Sequence, residues 1–577
     1  MQEETDSEYL SYDKSDEESL QVQREFDELA NAIFCDAAQS SSLYLHFLLK
    51  DPEAYGIRST ASPFGEYSLV KLQEESDHLQ MLFDTLNQIS YNRLTSDQQF
   101  LYALLRDYLE VSLPAKGLEL YSQPLSETIG VQAQLPILLS EYRIASKEEA
   151  EEYLSLLEAV PSLFQEIMAF ERQKTEAGLG LDDGSIDRII ASCEASMTAP
   201  ASHPLTETFE ERISQLSDLS AEEKEKYLEQ NTKVITEVFI PAYQSLIDEL
   251  TALKGKGGNS GGLCAFPDGK EYYEYLVKSE TGTSYSMEEL YKQLQVRLDS
   301  DLRTISKMVT ANPDLREQMN SYLYSVSEPT DILSNLQAEM TEDFPALADS
   351  SSTLTLKYVP KALESSLSPA FFLLPPIDDL QNNTIYINRQ SVNQTTSLYS
   401  TLAHEGMPGH LYQTLYYMQK NRSPLTRILS CSGYIEGWAT YSEYYSYSFD
   451  NGLHSDLQQL LAHNSAAILG LSALLDYNVN YKNWDKNDVA DYLNNNYGID
   501  DAAVAEDMFY SMVDCPANYL TYYTGYLEIM DLKETAEKEL GDNFDIKEFH
   551  TFLLDMAPAS FRVIRQYFNS WLLSQKA

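Results

Sequence analysis

Leu402-Ala403-His404-Glu405-Gly406-Met407-Pro408-Gly409-His410 is the stretch on which the reading of this chain turns. A helix carrying His-Glu, with a second His one turn on, presents two imidazoles to one metal ion and leaves the glutamate free to act on water. Here the second histidine is six residues on rather than four. At about 100° per residue, six steps turn a helix by about 600°, so on a straight helix His404 and His410 would not share a face. Pro408 and Gly409 lie between them, however. Proline removes a backbone donor and kinks the helix, and glycine permits the unusual dihedral that follows. A helix broken there can bring His410 back to the metal.

Zinc takes three protein ligands and keeps an open position for water. The segment Gly433-Tyr434-Ile435-Glu436-Gly437-Trp438-Ala439-Thr440-Tyr441-Ser442-Glu443 offers the third. Glu436 and Glu443 are seven residues apart and can face one way. Gly437 and Ala439 are small enough to let this helix approach the first closely. Read singly, each segment has an ordinary explanation: surface histidines, and one of 90 acidic residues on a solvated face. Together they point to a zinc site on His404, His410 and Glu436.

Outward from the motif, Thr353–Pro360 and Ala370–Pro376 read as extended, and Thr384–Asn388 alternates like a strand. A small sheet is expected just before residue 395. Helical periodicity begins near Val22 and runs to Asp51-Pro52, and it recurs over Asp97–Val111, Lys147–Glu176, Ala221–Leu253 and Met287–Val326. From Ser397 to the end the chain is again helical. Five glycines within 254–263 cannot sustain a helix, so a flexible joint is expected there. The expected organisation is a disordered leader at 1–20, a helical lobe at 21–253, the joint at 254–263 and a catalytic lobe at 264–577.

The 577 residues include 40 Lys+Arg and 90 Asp+Glu, a net charge of −50, which repels nucleic acid and anionic lipid. No apolar run is long enough to span a membrane. Five scattered cysteines without a CxxC pair argue against a thiolate zinc site or a disulfide framework, and nothing supports Cys431 or Cys515 as a nucleophile. The acidic start, MQEETDSEYLSYDKSDEESLQ, lacks the basic and apolar regions of a signal peptide. It reads as the linker left after removal of an export signal or lipid anchor, which implies a cell-surface or extracellular protein; a cytosolic protein with a frayed tail is the alternative.

The central blocks resemble a bacterial domain-of-unknown-function family, number 885, which belongs with the zincin-like peptidases. Its His-Glu-x-x-Pro-Gly-His pattern followed by Gln is met by His404, Glu405, Pro408, Gly409, His410 and Gln413, and its Glu-Gly-Trp-Ala-x-Tyr-x-Glu block by Glu436 to Glu443. Pro267, Gly269, Tyr272 and Tyr273 match a further block, as do Pro516, Tyr522 and Gly525, with Asn518 in place of a Gln. The family's usual second histidine after the one matching His410 is Leu411 here, which supports His410 as the ligand. The resemblance implies a mainly α, zincin-like peptidase body with a small β-sheet beside the metal helix and a deep central channel. It implies zinc as cofactor and short peptides as substrates, cleaved one or two residues from an end, and relatives that are exported or lipid-anchored.

In that scheme Glu405 takes the proton of the attacking water and passes it to the leaving amine. Tyr522 donates to the tetrahedral oxyanion, and Glu443 orients a ligand imidazole from behind. The strand at 384–388, with Tyr386 and Asn388, either binds substrate through its edge or is an ordinary packing strand. Arg562 and Arg565 are candidates for holding a substrate carboxylate, or else form ordinary salt bridges. Two other readings use the same residues: a zinc- or peptide-binding surface protein on a retired peptidase scaffold, or a zinc hydrolase of non-peptide amides. Glu405 argues against the first, because a retired enzyme tends to lose its base.

Overall fold

The computed structural model of the protein describes residues 13–576 apart from 59, 61, 349–351, 362–363, 365–367, 393–397 and 421. Most of them are helical, and one three-stranded sheet interrupts the helices. Helices start where the sequence supplies caps. Ser146 opens the helix Lys147–Glu176, with Glu148 and Glu149 in its first turn. Ser220 with Glu223, and Ser286 with Glu289, form reciprocal capping boxes on Ala221–Val234 and Met287–Ala311. Each cap satisfies an N–H that has no partner inside the helix, at the end where the dipole favours negative charge.

Of the leader expected at 1–20, residues 1–12 lie outside the described residues. The remainder enters the first helix, Glu17–Ala38, which Asp16 caps and which Arg93 ties down through Glu18 at 2.6 Å. The helix expected to reach Asp51 is broken at Gln39–Ser41 and resumes as Ser42–Leu48, capped by Ser41. Ala221–Leu253 holds two α segments joined by a π turn at Ile235–Phe239, beside Pro241, which lacks an N–H to donate.

The sheet consists of β1 (Thr353–Tyr358), β2 (Ala370–Leu373) and β3 (Asn382–Ile387) in the order β1-β3-β2. β1 runs parallel to β3, and β2 runs antiparallel to it with Phe372 opposite Ile385. The candidate substrate strand is thus the central one. Both its edges are already hydrogen-bonded, so no peptide can add to it, and the outer edges belong to β1 and β2.

Apolar packing does not follow the boundary expected at 254–263. One core joins Phe26, Phe34, Leu101 and Leu105 of the first helices to Leu402, Leu415, Trp438 and Phe561 of the C-terminal region. A second core lies within residues 125–253, and a third joins Tyr121 and Leu263 to helices between 272 and 527. The glycine-rich stretch is itself anchored. The Gly255 N–H donates to Asp183 at 2.7 Å, Lys254 pairs with Asp187, and the Leu263 N–H donates to Asn480 at 3.0 Å.

Candidate metal centre

The helix Leu398–Glu405 ends on His404 and Glu405, and the next, His410–Met418, begins on His410. The break spans Gly406–Gly409 and contains Pro408-Gly409, the pair at which the sequence places it. The Gly409 N–H donates to the Ala403 carbonyl at 2.9 Å, and the Tyr412 N–H to that of Gly406 at 3.2 Å. A Cβ on residue 409 would lie 1.8 Å from the His404 carbonyl oxygen, so this turn admits only glycine. The Pro408 carbonyl accepts from Trp438 Nε1 at 2.9 Å and from Ser442 Oγ at 3.4 Å. Trp438, fully buried, therefore locks the break from the glutamate helix Ser432–Ser446.

Glu436 Oε2 lies 3.3 Å from His410 Nε2 and 3.5 Å from His404 Nε2, and the ligand atoms of all three residues lie within 4.8 Å of one another. The two imidazoles meet edge to face, with centroids 4.8 Å apart at 82°. Glu436 Oε2 is buried and has no hydrogen-bond partner. Ligands at about 2.0–2.1 Å from a tetrahedral zinc stand roughly 3.3–3.4 Å from each other, which the two spacings match. A good N–H···O bond would be about 2.7–3.2 Å. Two imidazoles and a carboxylate are also a donor set that catalytic zinc uses, with one position left over. The residues fit the ion.

Seven residues past Glu436 on the same helix, Glu443 Oε2 lies 3.3 Å from His404 Nδ1, behind the imidazole. Burial opposes charge on His404, but Glu436 and then Glu443 outweigh it and hold the imidazole well above its usual range. Burial likewise works to raise the Glu436 carboxyl; the charge of His410 and the contacts of both histidines win and hold it well below the carboxylate range. Glu405 points elsewhere: its Oε2 accepts the Phe372 N–H of β2 at 2.8 Å. That bond fixes the carboxylate between the metal helix and the outer edge of the sheet.

Tyr522 sits in the tyrosine helix Asn518–Leu540, its ring 6.3 Å from that of His404 and inclined by 24°. Burial, then the charges of Glu436 and Glu405, raise its phenol above the usual tyrosine range. The tyrosine helix reaches the centre through glycine. A Cβ on Gly437 would lie 2.4 Å from the Gly525 carbonyl carbon, and one on Gly525 would lie 1.9 Å from the Gly433 carbonyl oxygen. Gly437 thus serves the approach of the tyrosine helix, rather than that of the first histidine helix as its position beside Glu436 suggested.

Sequence reasoning missed what holds the start of the tyrosine helix. Asp476, fully buried, accepts from the Tyr273 hydroxyl at 2.7 Å, from the Ala517 N–H at 3.1 Å and from Asn480 at 3.1 Å. Burial raises its carboxyl to about 7. The block containing Tyr273 was visible in the sequence, but nothing there pairs it with residue 476.

Four candidate substrate residues lie in other surroundings. Tyr386 stacks on Phe371 at 4.9 Å and its hydroxyl donates to Glu141. Asn388 is buried, its Nδ2 donating to the Glu364 carbonyl at 2.7 Å. Arg562 forms a two-pronged pair with Asp107 at 2.7 and 2.9 Å, and Arg565 binds Glu528 at 2.6 Å and Asp531 at 2.7 Å. The structure gives both arginines to internal ion pairs, the ordinary outcome in so acidic a chain.

The fold has solved counterparts. A candidate lipoprotein from Colwellia psychrerythraea superposes with a TM-score of 0.83 at 18% identity, over 96% of this chain and 99% of that one. A candidate lipoprotein of unknown function from Shewanella oneidensis gives 0.62 at 17%, over 94% and 99%. No curated protein matches the sequence. The profile described as "Bacterial protein of unknown function (DUF885)" matches residues 53–567, most of the chain, and the protein belongs to that family.

Proposed function

We propose that the protein is a zinc-dependent metallopeptidase acting on short peptides. The observation that carries this reading is the convergence of His404, His410 and a hydrogen-bond-free Glu436 Oε2, whose distances of 3.5 and 3.3 Å to the two imidazoles are close to those of a tetrahedral zinc site. Zinc held there supplies Lewis acidity, acidifying water and polarising a carbonyl. Glu405, one residue from a ligand and steadied by the Phe372 N–H, accepts the proton of the attacking water and returns it to the leaving amine. The Tyr522 hydroxyl, a proton donor at neutral pH like any phenol, stands beside His404 and donates to the oxyanion. Glu443 orients His404.

Substrate size follows from recession of the site. The side chains of His404, His410, Glu436 and Glu443 are only 13–24% exposed. An extended, short chain reaches such a centre, whereas a folded protein does not. Among the described residues no helix is long and apolar enough to cross a membrane. The two solved counterparts are candidate lipoproteins, which supports a location at the cell surface or outside it.

The test is a peptide digest read by mass spectrometry, with protein stripped by chelator and then reloaded with zinc. Short peptides should be cleaved by the reloaded protein and spared by the stripped one. A zinc-loaded, folded protein that leaves every peptide intact would falsify the reading.

A further inference from the structure

Between the sheet and the metal helices lies a small cavity of about 20 Å³, walled by Leu374, Pro375, Gln413, Tyr417, Arg427 and Ile435. That is room for one water, or for the oxygens of one carboxylate. Its walls continue the elements of the metal centre. Gln413 stands three residues, about 4.5 Å of helix rise, beyond His410. Ile435 precedes Glu436, and Leu374 follows β2, whose Phe372 holds Glu405.

Arg427 is the charge in this cavity. Among the described residues no carboxylate pairs with its guanidinium; the ionisable groups it faces are the phenols of Tyr417 and Tyr44. Other partly buried arginines are engaged. Arg562 has Asp107, Arg565 has Glu528 and Asp531, and Arg422 has the carbonyls of Asp555 and Ala557. In a chain with 90 acidic and 40 basic residues, a half-buried arginine without an acid is free to take a carboxylate from a ligand. Gln413 adds a second donor: the residue is 4% exposed, and its Nε2 makes no hydrogen bond of good geometry, with the Tyr434 hydroxyl as neighbour. A planar guanidinium matches a carboxylate through two parallel hydrogen bonds.

We propose that Arg427 receives the free C-terminal carboxylate of a peptide, so that the protein removes residues from that end. The inference rests on the metallopeptidase reading and supplies its substrate class. Water adds its oxygen to the carbonyl carbon of a peptide bond near the C-terminus, the C–N bond breaks, and a water proton goes to the departing amine. The released C-terminal fragment leaves with its carboxylate from Arg427.

The test uses one peptide as free acid and as C-terminal amide, with zinc-loaded parent, Arg427→Gln and Arg427→Lys, each checked for zinc content and melting temperature. The parent should shorten the acid from its C-terminus with a kcat/KM roughly 10²-fold above that for the amide. Arg427→Gln should remove that advantage through KM, and Arg427→Lys should keep part of it. If Arg427→Gln does not fold, the lysine variant decides: an advantage undiminished there overturns the proposal. Equal parent turnover of acid and amide, or release of residues from the N-terminus, also overturns it. A second arm titrates both peptides into zinc-loaded Glu405→Gln, with and without Arg427→Gln, by calorimetry. Preference for the acid that disappears with Arg427 supports the proposal; no preference overturns it. If the parent cleaves nothing, the metallopeptidase reading fails, and the binding arm still judges Arg427.

Discussion

Glu436 and Asp476 each have one carboxylate oxygen sealed from water without a hydrogen bond, and their surroundings send them opposite ways. Glu436 faces two imidazole nitrogens and is held ionised. Asp476 faces a phenol, an amide and a backbone N–H, all neutral, and burial raises it to about 7. The first belongs to the candidate metal centre, where a carboxylate kept charged is what a cation would need. The second is a fold anchor that joins the helix of Tyr273 to the start of the helix of Tyr522. Desolvation acts on both; the charge of the neighbours decides which form survives it.

The largest effect expected on the Glu436 side comes from Glu405→Gln. It removes the base and leaves every ligand, so turnover should fall by about 10³-fold or more while zinc content and melting temperature hold. Parent-like turnover in that variant would remove the base from the mechanism. His404→Ala, His410→Ala and Glu436→Gln come next. Each should lower the zinc-to-protein ratio after dialysis, measured by atomic emission, and full zinc in Glu436→Gln would shift the third ligand elsewhere. Tyr522→Phe should cost about 10²–10³ in kcat with zinc unchanged, since only an oxyanion donor is lost.

The smallest effect separates the two carboxylates. Asp476 has a folded pKa of about 7 against 3.8 unfolded, so the folded state holds a proton that the unfolded chain releases. Its contribution to stability is present below about pH 4 and is lost as pH rises towards 7. Urea melts at pH 4.5 and 7.5 should show the parent losing stability relative to Asp476→Asn over that interval. Parallel curves would mean that Asp476 is ionised like Glu436, and the contrast between the two sites would go.

Much of the site is legible in one dimension because its constraints are local. A His-Glu step, a Pro-Gly break and a glutamate followed by glycine single out the three side chains that converge and the place where the helix must bend. The expected strand at 384–388 exists as part of β3, but pairing on both sides makes it a centre rather than an edge, and strand order is a tertiary fact. Gly437 was legible as a close approach; its partner, Gly525, lies 88 residues away and could not be read from spacing. The same holds for Arg562 and Arg565, whose acidic partners come from distant helices, and for Arg427, whose lack of one shows only when everything around it is in place.

The sequence by itself determined the helical class, the break between His404 and His410 and the identity of the converging side chains, because periodicity and backbone restriction act within a few residues. The tertiary structure alone decided that the first helices share a core with the metal centre, that Trp438 locks the Pro408 break, and that Glu405 is steadied by a strand. Those depend on burial and on donors brought together from far along the chain, and no local pattern encodes which distant group will arrive.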